Sequence, residues 1–261
     1  MCPVAEMTSV SSLLAGFPQE NPGCVDTAVR GGLFGASISV CSGREGTPRK
    51  AGLPPALLEQ RENLRYTRAI MISLVAFLGN YGREYERTRH NVAWQFADSL
   101  PFADTLNWQR KFKGLYAAAD DLGPERVYFL KPETYMNLSG ESVGELARFF
   151  KITPERILLV HDELELPPGT VSLKWSGGLG GHNGLRSAKA VLGTADFWRF
   201  RFGIGRPDHA DVAGYVLSEF TADERIILSQ IFPQSAAMLA QALKAEPQKL
   251  LPEWNKKKLM A

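Results

Sequence analysis

From residue 72 onward the chain alternates short apolar runs with amphipathic stretches. Residues 72–78 (ISLVAFL), stopped by Gly79-Asn80, and residues 127–130, 157–160 and 200–204 read as buried strands of a central sheet. Between them the period lengthens. Val143, Leu146, Ala147 and Phe150 share one helical face, and Leu185, Ala188 and Leu192 repeat the spacing until Gly193 ends it. Strand and helix alternate, which predicts an α/β protein. Further on, Thr221-Ala-Asp-Glu224 has the capping-box pattern and opens a helix through Ile227 and Ile231. Pro233 is expected to separate it from a second helical stretch over 235–243.

Residues 1–70 lack this grammar. Gly, Ser, Pro and Thr are scattered through them with no sustained period, so they are expected to form a poorly ordered extension or to reflect a misassigned start, with the domain proper spanning 71–261. Met71 would serve as an alternative initiator. Cys2, Cys24 and Cys41 are the chain's only cysteines and all fall in the extension, so the rest carries neither a disulfide frame nor a thiol nucleophile. Thirty basic against 28 acidic residues leave a net charge of +2, and any nucleic-acid partner must therefore be met by a local patch. No window approaches the ~18–20 consecutive apolar residues of a membrane span, and the run at 13–17 is too short, and lacks the basic start, for a secretion signal. A cytoplasmic protein without a membrane partner is expected. Lys256, Lys257 and Lys258 read as a solvated tail.

In open α/β sheets ligands sit beyond the carboxyl ends of strands, and there this chain is unusually polar. The first run is followed by GNYG at 79–82 and TRHN at 88–91, the second by KPETYMNLSG at 131–140, and the third by HDE at 161–163. A glycine-rich stretch, SGGLGGHNG at 176–184, leads straight into a helix. Singly, His90 reads as a structural histidine, Asp162 as a loop cap, and Asn80, Asn137 and Asn183 as turn residues. Jointly they are the parts of a water-activating acyl hydrolase: Asp orients His, His deprotonates water, and Asn amides hold carbonyl oxygens.

Competing chemistries lack their spacing. There is no G-x-S-x-G, no H-E-x-x-H, no Lys-Ser/Thr ending to the glycine-rich run, and no third glycine to complete a dinucleotide fingerprint. His161, Asp162 and His182 show no paired ligand spacing, so no metal is expected. Lys174, Arg199, Arg201 and Arg206 lie in two segments able to flank one groove, and Arg suits phosphate. Tyr85 and Tyr135 either stack on bases or fill core.

LGN at 78–80 with TRHN at 88–91, KPETYMNLSG at 131–140, HDELELPPG at 161–169 and GGHNGL at 180–185 closely resemble, in order and separation, the bacterial-type peptidyl-tRNA hydrolase family. The resemblance runs from about Met71 through Phe220 and more loosely into the C-terminal helices. It implies a monomeric single-domain enzyme with a mixed central sheet between helices. Such an enzyme cleaves the ester joining a peptide to the 3′ ribose of tRNA, without a cofactor, with peptidyl-tRNA as its partner.

Carried over by motif, His90 resembles the general base and Asp162 the carboxylate that keeps it basic and oriented. Asn80 resembles the residue that helps tell blocked from free aminoacyl-tRNA, while Asn137 and Asn183 resemble those gripping the peptide and 3′ end. Tyr85 and Tyr135 match substrate-contacting aromatics, Met136 a residue at the mouth of the peptide site, and Lys174 and Arg201 basic positions that hold the tRNA acceptor end. Tyr81, Ser176 and Leu179 depart from the family pattern, as does Asp208-His-Ala after Pro207. Relatives of this fold that bind RNA as non-catalytic splicing partners, and a generic esterase using the same His-Asp pair, are the alternatives. Retention of His90, Asp162 and the three Asn argues for the hydrolase.

Overall fold

The structure, a computed structural model, describes residues 70–207 and 211–260. The three cysteines, the expected extension up to residue 69 and the Asp208-His-Ala departure lie outside the described residues. The strands are β1 (Leu74–Phe77), β2 (Gln109–Lys111), β3 (Gly114–Ala119), β4 (Val127–Pro132), β5 (Ile157–Glu163), β6 (Thr170–Trp175), β7 (Trp198–Gly203) and β8 (Lys257–Lys258). They form one mixed sheet in the order β2-β3-β4-β1-β5-β7-β6-β8, with β4, β1, β5 and β7 parallel and the outer strands antiparallel. The helices are α1 (Val92–Asp98), α2 (Ser139–Phe149), α3 (Asn183–Leu192), α4 (Val212–Leu217), α5 (Ala222–Lys244) and α6 (Pro247–Trp254).

The continuous apolar runs arise because the central strands are covered on both faces. In β1, Val75 and Phe77 join Phe129, Phe200 and Phe202 in a core closed by α1 and α5. The alternate positions, Leu74 and Ala76, join Leu130 and Leu159 beneath α2 and α3. All four residues of β1 are buried.

Four strands beyond those predicted complete the sheet, and each has a reason to evade an apolar-run reading. All three residues of β2 are exposed, β3 buries only Gly114 and Ala117 fully, and β6 interleaves Ser172 and Lys174 with apolar residues. Lys257 and Lys258, expected in a solvated tail, instead form β8, an edge strand paired antiparallel to Thr170 and Val171. Lysine on an edge strand also discourages further strand addition.

The break expected at Pro233 does not occur. Helix α5 runs unbroken through it, capped by Thr221 Oγ1 on the Glu224 amide (3.2 Å) and by Glu224 Oε2 on the Thr221 amide (2.7 Å). An interior proline costs about 3 kcal/mol of helix stability. Here the helix buries Leu228, Ile231, Phe232, Met238, Leu239 and Leu243 on both sides of the proline, and burying a large apolar side chain contributes about 1.5–3 kcal/mol. Helix α5 is also long and apolar enough to cross a membrane by length and composition, yet half of that apolar window is buried inside the fold.

Helices α2 and α3 pack in close contact through glycine. A Cβ on Gly140 would lie 2.2 Å from the Ser187 carbonyl oxygen, and the Gly140 amide donates to Ser187 Oγ at 2.9 Å. This contact sets the separation between the segments carrying Asn137 and Asn183. Gly140→Ala is therefore expected to destabilise the protein by about 1–3 kcal/mol, read as a lower midpoint in urea unfolding; an unchanged midpoint would show that the helices part without cost.

Candidate active site

Because β1 lies between β4 and β5, the carboxyl ends of the three strands meet at one place. Asn80 follows β1, the loop carrying Tyr135, Met136 and Asn137 follows β4, and Asp162 sits near the end of β5. His90 arrives on the 3-10 turn Arg89–Asn91 that opens α1, and the glycine-rich segment delivers His182 and Asn183 at the start of α3.

Asp162, only 3% exposed, is the centre of the group. Its Oδ1 lies 2.9 Å from His90 Nδ1 and 3.0 Å from His182 Nε2. The partners assign the protons. His182 caps α3, and its Nδ1 accepts the amides of Gly184 (3.1 Å) and Leu185 (3.4 Å), so the proton rests on Nε2 and points at Asp162. His90 likewise donates from Nδ1, which leaves Nε2 as the open acceptor of a ring that lines the cleft.

Burial, the largest single influence on Asp162, disfavours its charge, but the two imidazoles and their hydrogen bonds outweigh it and hold the carboxyl well below the usual range. Burial likewise opposes protonation of His90, and the charge and hydrogen bond of Asp162 overcome it, raising the pKa above the ordinary 6.5. His161, named with Asp162 and His182 by the sequence, plays a different part. Its Nδ1 donates to the Asp162 carbonyl at 2.5 Å and its Nε2 is buried without a partner among the described residues. Burial first, then the neighbouring His182, pushes its pKa well below the ordinary value, keeping it neutral.

Among the described residues, the side chains with metal-ligand atoms in reach of one another are instead His90, Asp162 and His182, within 4.8 Å. They suit a hydrogen-bonded relay better than a metal, because the His182 nitrogen facing the group must carry a proton while Nδ1 accepts from the backbone.

A second network fixes Asn80. Its amide N–H donates to Asn91 Oδ1 (2.8 Å), and Asn91 Nδ2 donates back to its carbonyl (2.9 Å). Asn80 Oδ1 in turn accepts the Met136 amide at 2.7 Å, so the side-chain NH2 is the end left for a ligand. Met136 is buried against Gly184, where an added Cβ would come within 2.6 Å of its sulfur. These contacts enclose a cleft of about 790 Å³. It is lined by eight of the residues singled out from the sequence: Asn80, Tyr85, His90, Tyr135, Met136, Asn137, Asp162 and Asn183. Tyr135, Asn137 and Asn183 are exposed, whereas Tyr85 is half-buried.

Lys174 and Arg201 lie outside the cleft lining, on neighbouring strands β6 and β7. Arg201 is buried and donates to Ser172 Oγ (2.7 Å) and Glu163 Oε2 (3.2 Å). Lys174 is half-buried; burial, then the charges of Arg201 and Arg199, lowers its pKa. Arg199, expected to line a basic groove, instead lies beneath the glycine-rich segment. It donates to the carbonyls of Ser176 (2.7 Å), Gly177 (2.6 Å) and Gly178 (2.6 Å). Arg206 pairs with Glu165 at the cleft margin.

Two of the departures, Ser176 and Leu179, have local explanations, and nothing in the structure explains Tyr81. Ser176 holds a glycine-like φ of 48°, with its hydroxyl donating to Asp196 at 2.8 Å, and Leu179 packs against the core beneath α2 and α3. Two participants are assigned no part in the hydrolytic site by the sequence, where His182 is weighed only as a metal ligand. Asn91 lay within a quoted motif, but its bonds to Asn80 span eleven residues of chain; His182 betrays itself only by its position before a helix start, where a side-chain acceptor is wanted.

Comparison with known proteins agrees with this geometry. The peptidyl-tRNA hydrolase family model matches residues 74–261. The peptidyl-tRNA hydrolase of Treponema pallidum (strain Nichols) is 47% identical over 197 residues, covering 73% of this chain and 98% of the relative. That of Delftia acidovorans is 49% identical over 181 residues, covering 68% and 84%. Among solved structures, a point mutant of the peptidyl-tRNA hydrolase from Acinetobacter baumannii superposes with a TM-score of 0.67 at 34% identity, covering 74% of this chain and 100% of that one. A 1.00 Å structure of the enzyme from the same organism gives 0.63 at 35% identity, covering 72% and 94%. With a family match spanning the whole sheet and every residue of the buried relay, this chain belongs to the peptidyl-tRNA hydrolase family.

Proposed function

We propose that this protein hydrolyses the ester between a peptide, or an N-blocked aminoacyl group, and the 3′ ribose of tRNA, returning free tRNA to translation. The observation that carries the reading is the buried Asp162 carboxylate holding two imidazoles, with His90 Nε2 left open at a cleft edged by asparagine amides. Water bound to His90 Nε2 loses its proton as its oxygen attacks the ester carbonyl. The imidazolium so formed is stabilised by Asp162. The Asn80 NH2 or a neighbouring backbone N–H receives the developing oxyanion. Collapse expels the ribose 3′ oxygen, which takes the proton back from His90.

Asn137 and Asn183 grip the peptide and the 3′ end, and Tyr85 and Tyr135 contact substrate from opposite segments. Met136 packs at the mouth of the peptide site, while Lys174 and Arg201 hold the acceptor end of the tRNA. The unit that performs this is residues 71–261, with 1–70 as an appended segment; it acts as a monomer in the cytoplasm, without a cofactor. The match over 74–261 supports that division.

The direct test is release of free tRNA from N-acetylaminoacyl-tRNA beside an unblocked aminoacyl-tRNA control. Cleavage of only the blocked substrate is expected. His90→Ala should lower kcat by about 10²- to 10⁴-fold, the usual contribution of a positioned general base, with tRNA affinity little changed; binding of tRNA without cleavage by the parent protein would instead support an RNA-binding role.

His90 acts as the free base, so the rate should rise with pH through its pKa, above 6.5 in the parent protein. Asp162→Asn removes the charge that stabilises the imidazolium and leaves burial to favour the neutral ring. The rising limb of kcat/KM should therefore move to lower pH, with a lower plateau. A limb that stays in place would show that Asp162 is not the group holding the imidazolium.

A further inference from the structure

Helix α4 forms the apolar wall of the cleft through Val212, Ala213, Val216 and Leu217, yet none of its residues is fully buried. A six-residue helix with so little core of its own must be held largely by polar contacts. One is the Tyr215 hydroxyl, which donates to the Ile204 carbonyl at 2.6 Å. Another is Asp211 Oδ1, which accepts the Gly214 amide at 2.8 Å, and directly beyond the helix the chain is held by the side chain of Arg89, the residue immediately before His90.

The Arg89 guanidinium sits 4.4 Å from the Tyr215 ring centroid and 5.4 Å from that of Phe220. It donates to Ser218 Oγ (2.6 Å), to the Glu219 carbonyl (2.7 Å) and to Glu224 Oε2 (2.6 Å), the carboxylate that also caps α5. The Arg89 amide donates to the Ser218 carbonyl at 3.0 Å, and Thr88 bridges Glu219. The group is nearly buried: 7% of the Arg89 side chain and 16% of that of Glu224 remain exposed. The turn that carries His90 is thereby joined to the end of α4 and the start of α5.

We propose that Arg89 is a positioning residue that sets the cleft's grip on the peptide part of the substrate, by holding the apolar wall α4 in register with the turn that bears His90. The inference rests on the peptidyl-tRNA hydrolase reading of the cleft. His90 keeps its own hydrogen bond to Asp162, so a change at Arg89 acts on binding rather than on the chemical step. Lysine keeps the charge but cannot reach three acceptors from a planar fork.

The test compares the parent protein and Arg89→Lys on two blocked substrates, N-acetylglycyl-tRNA and a tRNA carrying an N-acetylated tripeptide of leucine. Parent activity on both establishes the underlying reading independently, and its absence would overturn that reading rather than this inference. For Arg89→Lys, KM for the leucine peptide should rise about tenfold, the equivalent of one strong contact. KM for the glycyl substrate and both kcat values should stay within about twofold, a factor too small to represent a lost contact. An equal change in KM for the two substrates, or a fall in kcat alone, would overturn the proposal. Should Arg89→Lys fail to fold, Ser218→Ala removes one exposed acceptor and should give a smaller rise with the same substrate preference; no rise would likewise overturn it.

Discussion

A single buried carboxylate organises this protein. Removing an ionised group from water costs several kcal/mol unless its partners repay the loss of hydration, and Asp162 has two imidazole N–H groups on one oxygen to do so. Those partners come from distant parts of the chain, His90 before α1 and His182 before α3. The charge can be accommodated only when β5, the His90 turn and the glycine-rich segment are all in place. The same contacts that make the fold tolerate Asp162 also set the tautomers of both histidines, so folding itself leaves His90 Nε2 without a proton at the cleft.

The surroundings convert that point into a shaped cleft. Asn91 holds the backbone on either side of the Asn80 side chain, and Asn80 then fixes the Met136 amide across the gap between the ends of β1 and β4. On the opposite side, Arg199 collects three successive carbonyls of the glycine-rich segment, a task for which a buried, planar five-donor group is suited. Arg89 performs a comparable task for α4 and the cap of α5. Arg199 and Arg89, both buried, thus act as joints between segments distant in the chain. Groups held in this way before substrate arrives need little reorganisation during reaction.

The α/β class, the four central strands, the end of α3 at Gly193 and the cap of α5 at Thr221 could all be read along the chain, because each depends on neighbours within a few residues. Burial on both faces wrote β1, β4, β5 and β7 as apolar runs, and left the exposed or alternating strands β2, β3, β6 and β8 without that signature. Pro233 misled for the opposite reason: its local cost is real, but side chains buried on both sides of it hold the helix together, and that compensation is tertiary.

The same division runs through the site. Residue types and their order were enough to single out His90, Asp162 and the three asparagines, since hydrolysis of an ester by activated water needs a base, a carboxylate and amide donors. Which nitrogen of His90 is free, why His182 belongs to the carboxylate while His161 stays neutral beside it, and why Arg199 faces a loop rather than a groove were decided only in three dimensions. Hydrogen-bond direction and burial depend on partners supplied by other segments, and no local pattern in the chain encodes them.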